Sequence, residues 1–409
     1  MSTRPSFSIA TLSLGTNVHH NLPTKIRVAS QLGYDGIELF MPDFELFAQE
    51  VKDGQHRDLF EHIPSFVPER LSQKELERTC ASAISHFCKK HRLDIPLIQP
   101  LRNFENFTSD EQIDAAVDVA ERWFDLMPYL GTDLLLVCSN FIESGNPIVQ
   151  GLTTMDAYLD MQVHAFRCLG RRAAKYDVKV GYEPLAWGTV VDNWIPVWDV
   201  VSRVDMPNVG VILDSFNTLG NQYADPSTEN SLRPRRFSVL LDNLALLSRT
   251  IPGDKILFYQ IGDAHRPEHP IMDAPNAPAR MTWSRASRLF PCEVVPDINS
   301  KDAWKYVGFL PVIEMTKAVL ATGYKGWWSL EVFNKTLQED DAGSPWRHGK
   351  RGIDGLHRLW IRSNAQPVSM NLPLISWPVS RWRQTAQTIS WTLKFWQLPG
   401  WIAGLIWRA

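Results

Sequence analysis

Short apolar runs alternate along this chain with longer stretches in which apolar positions recur at the three-to-four-residue spacing of a helix face. Residues 7–14 are rich in β-formers and stop at Gly15, and residues 23–32 then carry Ile26, Ala29 and Leu32 at helical spacing before Gly33. A second strand is predicted over 34–40. An irregular stretch rich in acidic and aromatic side chains follows, then an amphipathic helix over 72–91, where Ser72 is placed to cap and Glu75 to complete a capping box. The next pairs are a strand over 95–100 with a helix over 109–130, and a strand over 132–138 with a helix over 155–176. The first of these helices shows an apolar face of Ile113, Ala116, Val117, Ala120, Trp123 and Phe124. The Leu-Leu-Leu-Val run within 132–138 suits a strand buried on both faces.

The second half repeats the pattern. Strands are predicted over 178–182, 209–213, 255–259 and 327–330, and helices over 195–204, 237–247, 310–322 and 351–360, with a long loop after the strand at 255–259. About eight alternations of strand and helix make the fold class α/β and the architecture a (β/α)₈ TIM barrel. A doubly wound open sheet usually carries a glycine-rich phosphate loop after its first strand, and no such loop is present.

At 409 residues the chain accommodates one large barrel domain, assigned here to 1–364. From 365 to 409 there is no acidic residue, and Trp377, Trp382, Trp391, Trp396, Trp401 and Trp407 stand among Arg381, Arg383, Lys394 and Arg408. This Trp-rich basic extension reads as poorly ordered chain, or as a basic amphipathic helix over 380–397 that caps the barrel or lies on a membrane surface. The terminal run at 401–407 is too short to span a bilayer. A net charge of -3 with scattered Lys and Arg leaves no footprint for nucleic acid. Cys80, Cys88, Cys138, Cys168 and Cys292 are odd in number and lack CxxC spacing, which points to a reducing compartment. The N-terminus lacks the apolar run of a signal peptide, so a cytoplasmic protein is expected.

The chemistry is expected at the strand ends, which converge on one pocket in a barrel. Glu183, Asp214, Gln260 and Glu331 each close a predicted strand in the second half. A single carboxylate there could equally be a helix N-cap or a salt-bridge partner. Together, however, three carboxylates would repel and raise one another's pKa, whereas a divalent cation turns that repulsion into ligation. The amide oxygen of Gln260 suits a hard cation, Mg²⁺ or Mn²⁺ first and Co²⁺ after them, better than a hydrolytic zinc site.

The segments Gly36-Ile-Glu-Leu-Phe40, Gln99-Pro-Leu-Arg-Asn-Phe104, Tyr182-Glu-Pro-Leu-Ala-Trp-Gly188, Leu213-Asp-Ser-Phe-Asn-Thr218, Phe258-Tyr-Gln-Ile-Gly-Asp-Ala264, Ala279-Arg-Met-Thr-Trp-Ser-Arg285 and Ser329-Leu-Glu-Val-Phe-Asn334 resemble motifs of 3-dehydroshikimate dehydratases, the fungal quinate-pathway form above all, within the xylose isomerase-like TIM barrel superfamily. The resemblance runs in order from about residue 7 to residue 359. It implies a metal-dependent lyase that converts 3-dehydroshikimate to protocatechuate, with the metal on Glu183, Asp214, Gln260 and Glu331 stabilising an enolate as a Lewis acid.

The acidic small-molecule substrate implied by the resemblance calls for guanidinium partners, and Arg102 and Arg285 lie in matching motifs. Asn217 is placed to bind a substrate hydroxyl or to cap the following turn. Bacterial members often carry a His near the Asp214 motif and a His pair after Trp-Ser-Arg, where this chain has Asn217 and Ala286-Ser287. The base is therefore sought elsewhere: Glu38 at the end of the second strand is one candidate, the carboxylate of Glu331 is part of the same catalytic set, and His265 is a further option. A sugar isomerase or epimerase on the same barrel, and a non-catalytic paralogue serving as an interaction module, are the alternative readings.

Overall fold

The structure, a computed structural model, describes residues 4–61, 63, 66–142, 154–295, 297, 299–301 and 303–364. The extension over 365–409 lies outside the described residues. The strands are β1 (Phe7–Ala10), β2 (Gly36–Phe40), β3 (Asp94–Leu101), β4 (Leu134–Cys138), β5 (Lys179–Glu183), β6 (Val209–Asp214), β7 (Ile256–Ile261), β8 (Asp263–Ala264), β9 (Arg288–Leu289) and β10 (Trp328–Leu330). All except β8 and β9 close into one parallel barrel, in which β10 joins β7 to β1. The short β8 and β9 form a separate antiparallel pair at the rim.

The helices are α1 (Leu22–Gln31), α2 (Met41–Lys52), α3 (Gln73–Lys90), α4 (Asp110–Leu130), α5 (Met155–Ala174), α6 (Trp194–Val204), α7 (Ser215–Gln222), α8 (Arg236–Thr250), α9 (Ala279–Ser287), α10 (Val312–Ala321) and α11 (Ser344–Asn364). The capping box of α3 forms as the sequence predicts: Glu75 N donates to Ser72 Oγ at 3.3 Å, and Ser72 N donates to Glu75 Oε2 at 2.9 Å. None of the described helices is long and apolar enough to cross a membrane.

Three expectations are corrected. The stretch after β2, read as irregular, opens with α2, whose buried Met41, Phe44, Phe47, Ala48 and Val51 make an apolar face. Acidic and aromatic neighbours hid that periodicity. The long loop after β7 contains β8, α9 and β9, so Arg285 lies on a helix. The final helix begins at Ser344, a turn and more before the expected start, because Gly349 and Gly352 weakened its pattern.

Period-two alternation divides the barrel strands into two faces. Outward side chains such as Tyr182, Leu213 and Tyr259 join the large core between strands and helices. Leu97, Leu134, Leu136, Cys138, Ile212 and Phe258 form a smaller apolar layer inside the barrel. Ile212 and Phe258 share parity with Asp214 and Gln260, so the polar side chains sit one step further along the same inner face, at the strand C-termini. The inner layer is tight. A Cβ at Gly181 would stand 2.5 Å from Ile212 Cδ1, which leaves room for glycine alone two residues before Glu183.

Candidate active site

β5, β6 and β7 deliver Glu183, Asp214 and Gln260 as their inward-facing C-terminal residues, and Glu331 follows β10 directly. Asp214 and Gln260 are register partners, which sets them side by side. Glu183, Asp214 and Glu331 each present a carboxylate oxygen, and these oxygens lie within 4.8 Å of one another. All three are buried, Glu331 most exposed at 6%.

Gln260 supplies a further oxygen. Its Nε2 donates to Glu38 Oε1 at 2.5 Å, which turns the amide oxygen away from Glu38. Its Oε1 is buried and has no hydrogen-bond partner among the described residues. An orphaned carbonyl oxygen beside three carboxylates is costly unless something positive meets it. The all-oxygen donor set therefore fits a hard divalent cation.

Asp214 does two jobs. Its Oδ1 caps α7, accepting from Phe216 N at 2.5 Å and Asn217 N at 3.2 Å, while Oδ2 faces the cluster. Asn217, expected to bind a substrate hydroxyl or to cap the following turn, is held between two of the carboxylates. Its Nδ2 bridges Glu183 Oε1 at 2.8 Å and Asp214 Oδ2 at 3.0 Å, and its Oδ1 accepts from Ala186 N at 3.1 Å.

Glu38 lies behind the cluster and is wholly buried. It accepts from Gln99 Nε2 at 2.8 Å, from Ser329 Oγ at 2.6 Å and from Gln260. Gln99 also donates to Glu331 Oε1 at 2.9 Å, tying the two carboxyls together. Burial, then the charge of Glu331, pushes the Glu38 carboxyl up to about 8. Burial likewise lifts Glu331 to about 7, although Arg288 pulls it back. Burial and the neighbouring Glu331 and Asp214 hold Glu183 well above the ordinary carboxylate range.

Arg288 was not anticipated. It opens β9, is 1% exposed, and its Nη1 reaches Asp214 Oδ2 at 2.8 Å, Glu331 Oε2 at 2.9 Å and Glu331 O at 3.1 Å. Its guanidinium lies 4.2 Å from the Phe216 ring centroid and 5.1 Å from that of Phe333. A counter-charge thus sits inside the cluster and offsets part of the carboxylate repulsion. The one sequence signal was a charged residue opening the apolar Leu289-Phe-Pro run.

Arg102 follows β3 directly, and Arg285 lies on the last turn of α9. Both are exposed, and among the described residues neither has a hydrogen bond or ion-pair partner. They are near enough to feel each other: burial, then the charge of Arg102, lowers the Arg285 pKa. His265 stands apart from the carboxylates, with Nδ1 2.9 Å from Arg266 O and its ring edge-on to Trp304. Burial lowers its pKa.

A family model described as xylose isomerase-like TIM barrel matches residues 26–356. The chain belongs to this family. Within it, the chain is 30% identical over 383 residues to the 3-dehydroshikimate dehydratase of Neurospora crassa, covering 91% of this chain and 97% of that protein. It is 36% identical over 354 residues to the 3-dehydroshikimate dehydratase of Pseudomonas putida, covering 86% of this chain and 41% of that protein. The chain thus spans about two fifths of the length of the Pseudomonas relative. Among solved structures, a xylose isomerase-like TIM barrel/4-hydroxyphenylpyruvate dioxygenase fusion protein superposes with a TM-score of 0.62 at 30% identity, over 91% of this chain and 45% of that one. The IOLI protein, solved with a bound zinc atom, has a TM-score of 0.56 at 14% identity, over 89% of this chain and 100% of that one, and supports the fold alone.

The metal-free site carries a pH signature. The folded pKa values of Glu38, about 8, and Glu331, about 7, lie above the ordinary 4.5, so the stability they contribute is complete below that ordinary value and lost as pH rises through 7 to 8. Metal-free protein should melt lower at about pH 8.5 than at about pH 6, and saturating Mn²⁺ should narrow the gap by binding the ionised carboxylates. Thermal melts with chelator and with Mn²⁺ check this. A metal-free melting temperature that rises across the interval would contradict the account.

Proposed function

We propose that this chain removes water from 3-dehydroshikimate to form protocatechuate at the strand-end cluster, using one divalent cation, Mg²⁺ or Mn²⁺ before Co²⁺. The family relatives named 3-dehydroshikimate dehydratase support the reaction, with one of them matched over nearly its whole length. The observation that carries the reading is the pair Arg102 and Arg285: two exposed cations that, among the described residues, have no hydrogen bond or ion pair, whose charges act on each other, at the strand-end side of the barrel that holds the buried carboxylate cluster. Such a pair is completed by an anion, and a ring carboxylate is the natural one. A neutral sugar would leave the repulsion uncompensated, which disfavours the epimerase reading. Intact metal-ligand candidates disfavour the non-catalytic one.

Glu183, Asp214, Gln260 and Glu331 would hold the cation, which when bound supplies a Lewis acid for a substrate oxygen. Asn217 keeps Glu183 and Asp214 in register, and Arg288 offsets the charge of Asp214 and Glu331. Arg102 and Arg285 orient the ring through its carboxylate. In the reaction two ring C–H bonds and one C–O bond break; one proton leaves with the hydroxide as water, the other ends on the former ketone oxygen as a phenol hydroxyl, and the ring becomes aromatic. Glu331, the most exposed of the three carboxylates, takes the first proton, with Glu38 behind it as the carboxyl able to hold a proton at neutral pH. Five free cysteines suit a reducing, cytoplasmic setting.

The assignment is tested by following the absorbance of the aromatic product from metal-loaded protein given 3-dehydroshikimate; no product would remove it. Arg102→Ala and Arg285→Ala should each raise KM about 10–100-fold, the worth of one charge-assisted contact, with a smaller change in kcat. Wild-type KM values in both would remove the carboxylate-binding role.

A further inference from the structure

Arg102 needs a rigid support, because among the described residues it makes no hydrogen bond or ion pair and it feels a like charge. Its loop, residues 102–107, is held by something the proposed reaction does not use. Glu105 is 5% exposed and meets Tyr182, which alternates with Glu183 on β5 and joins the outer core. It accepts from Asn140 N at 2.8 Å, from the Tyr158 hydroxyl at 3.1 Å and, through its other oxygen, from the Tyr182 hydroxyl. These donors come from the chain after β4, from α5 and from β5, so one carboxylate ties the loop to three neighbouring elements.

The rest of the loop is fastened around this node. Asn103 N donates to Asn140 Oδ1 at 3.1 Å, Gln162 Nε2 donates to Phe104 O at 2.8 Å, and the Tyr158 hydroxyl is also 3.0 Å from Asn106 Oδ1. Phe104 is 1% exposed and packs edge-on against Phe107 and Phe166, with centroids 5.2 and 5.6 Å away. Asn103 and Asn106 adopt left-handed backbone, with φ of 61° and 70°, which the loop would relax without outside restraint. Among the described residues Arg102 has no hydrogen bond or ion pair, and its charge reaches both Cys138, at the end of β4, and Arg285.

We propose that Glu105 is a positioning residue for the substrate anion site: its carboxylate, held by Tyr158, Tyr182 and the Asn140 amide, locks the loop that presents Arg102 opposite Arg285. The proposal rests on the dehydratase reading for what Arg102 binds. Tyr182 precedes the ligand candidate Glu183 on β5, so the same node couples the anion site to the strand that carries the metal centre. Burial pushes the Glu105 carboxyl up to about 7 against the pull of its three donors, a cost that a purely apolar support for the loop would avoid. A glutamine of the same shape offers a single acceptor oxygen, so it cannot serve donors on both sides.

The test uses the full chain, metal-loaded, with 3-dehydroshikimate. Glu105→Gln should raise KM on the order of tenfold while kcat stays within about twofold, and should have no further effect in an Arg102→Ala background. Tyr158→Phe should repeat the effect more weakly and serves if Glu105→Gln does not fold. Amide hydrogen exchange should quicken over 102–107 in the variant and stay unchanged on β6. A fall in kcat at constant KM, or an effect fully additive with Arg102→Ala, would overturn the proposal. If wild-type protein does not turn over 3-dehydroshikimate, the dehydratase reading fails by itself, and the clamp is then judged by exchange, unchanged protection of 102–107 overturning it.

Discussion

Glu183→Gln should lower turnover of 3-dehydroshikimate on the order of 10³-fold and weaken Mn²⁺ binding in parallel. The substitution keeps the shape at the end of β5 and the apolar layer beneath it, and Asn217 retains an oxygen to donate to. What it removes is one of three carboxylates whose oxygens lie within 4.8 Å of one another. Several kcal/mol of transition-state charge stabilisation hang on a cation in that position, and each ~1.4 kcal/mol is a factor of ten. The metal-free protein should respond in the opposite sense: relieving like-charge repulsion within a buried cluster should raise its melting temperature. Kinetics with titrated Mn²⁺, alongside melts in chelator, separate the two effects. Full activity at limiting Mn²⁺ would end the ligand assignment.

Arg288→Met should cost the metal-free protein about 3–5 kcal/mol, the usual penalty for removing one partner of a buried ion pair. Methionine can still pack between Phe216 and Phe333, so the loss reads chiefly the charges left behind on Asp214 and Glu331. With saturating Mn²⁺ the loss should shrink, because the cation then supplies the compensation that Arg288 gave. Denaturant unfolding with chelator and with Mn²⁺ provides the comparison. An equal loss in both would show that Arg288 acts through packing alone.

Both expectations turn on residues of unequal visibility in the sequence. Glu183, Asp214 and Gln260 were legible because each ends a short apolar run, and strand ends of a barrel point to one place. Asn217 was visible as a polar residue near Asp214, yet its partners were not, since α7 was too short and too closely joined to β6 to register as a helix. Arg288 and Glu105 were hidden for a different reason. Their partners lie far along the chain, Arg288 meeting Asp214 and Glu105 meeting Tyr158 and Tyr182, and no local period marks such pairs.

The sequence by itself determined the alternation of strands and helices, hence the barrel, and with it the strand ends on which chemistry could sit. Periodicity is a local property, and eight repeats of it leave a parallel sheet little choice but to close. Only the tertiary structure decided the wiring of those ends: that Gln260 turns its nitrogen to Glu38 and leaves its oxygen unpaired among the described residues, that Arg288 enters the carboxylate cluster, and that Arg102 comes near enough to Arg285 for their charges to act on each other. Such choices follow from which buried donors and acceptors meet across the closed barrel, and that is settled by contacts between residues that the chain order keeps far apart.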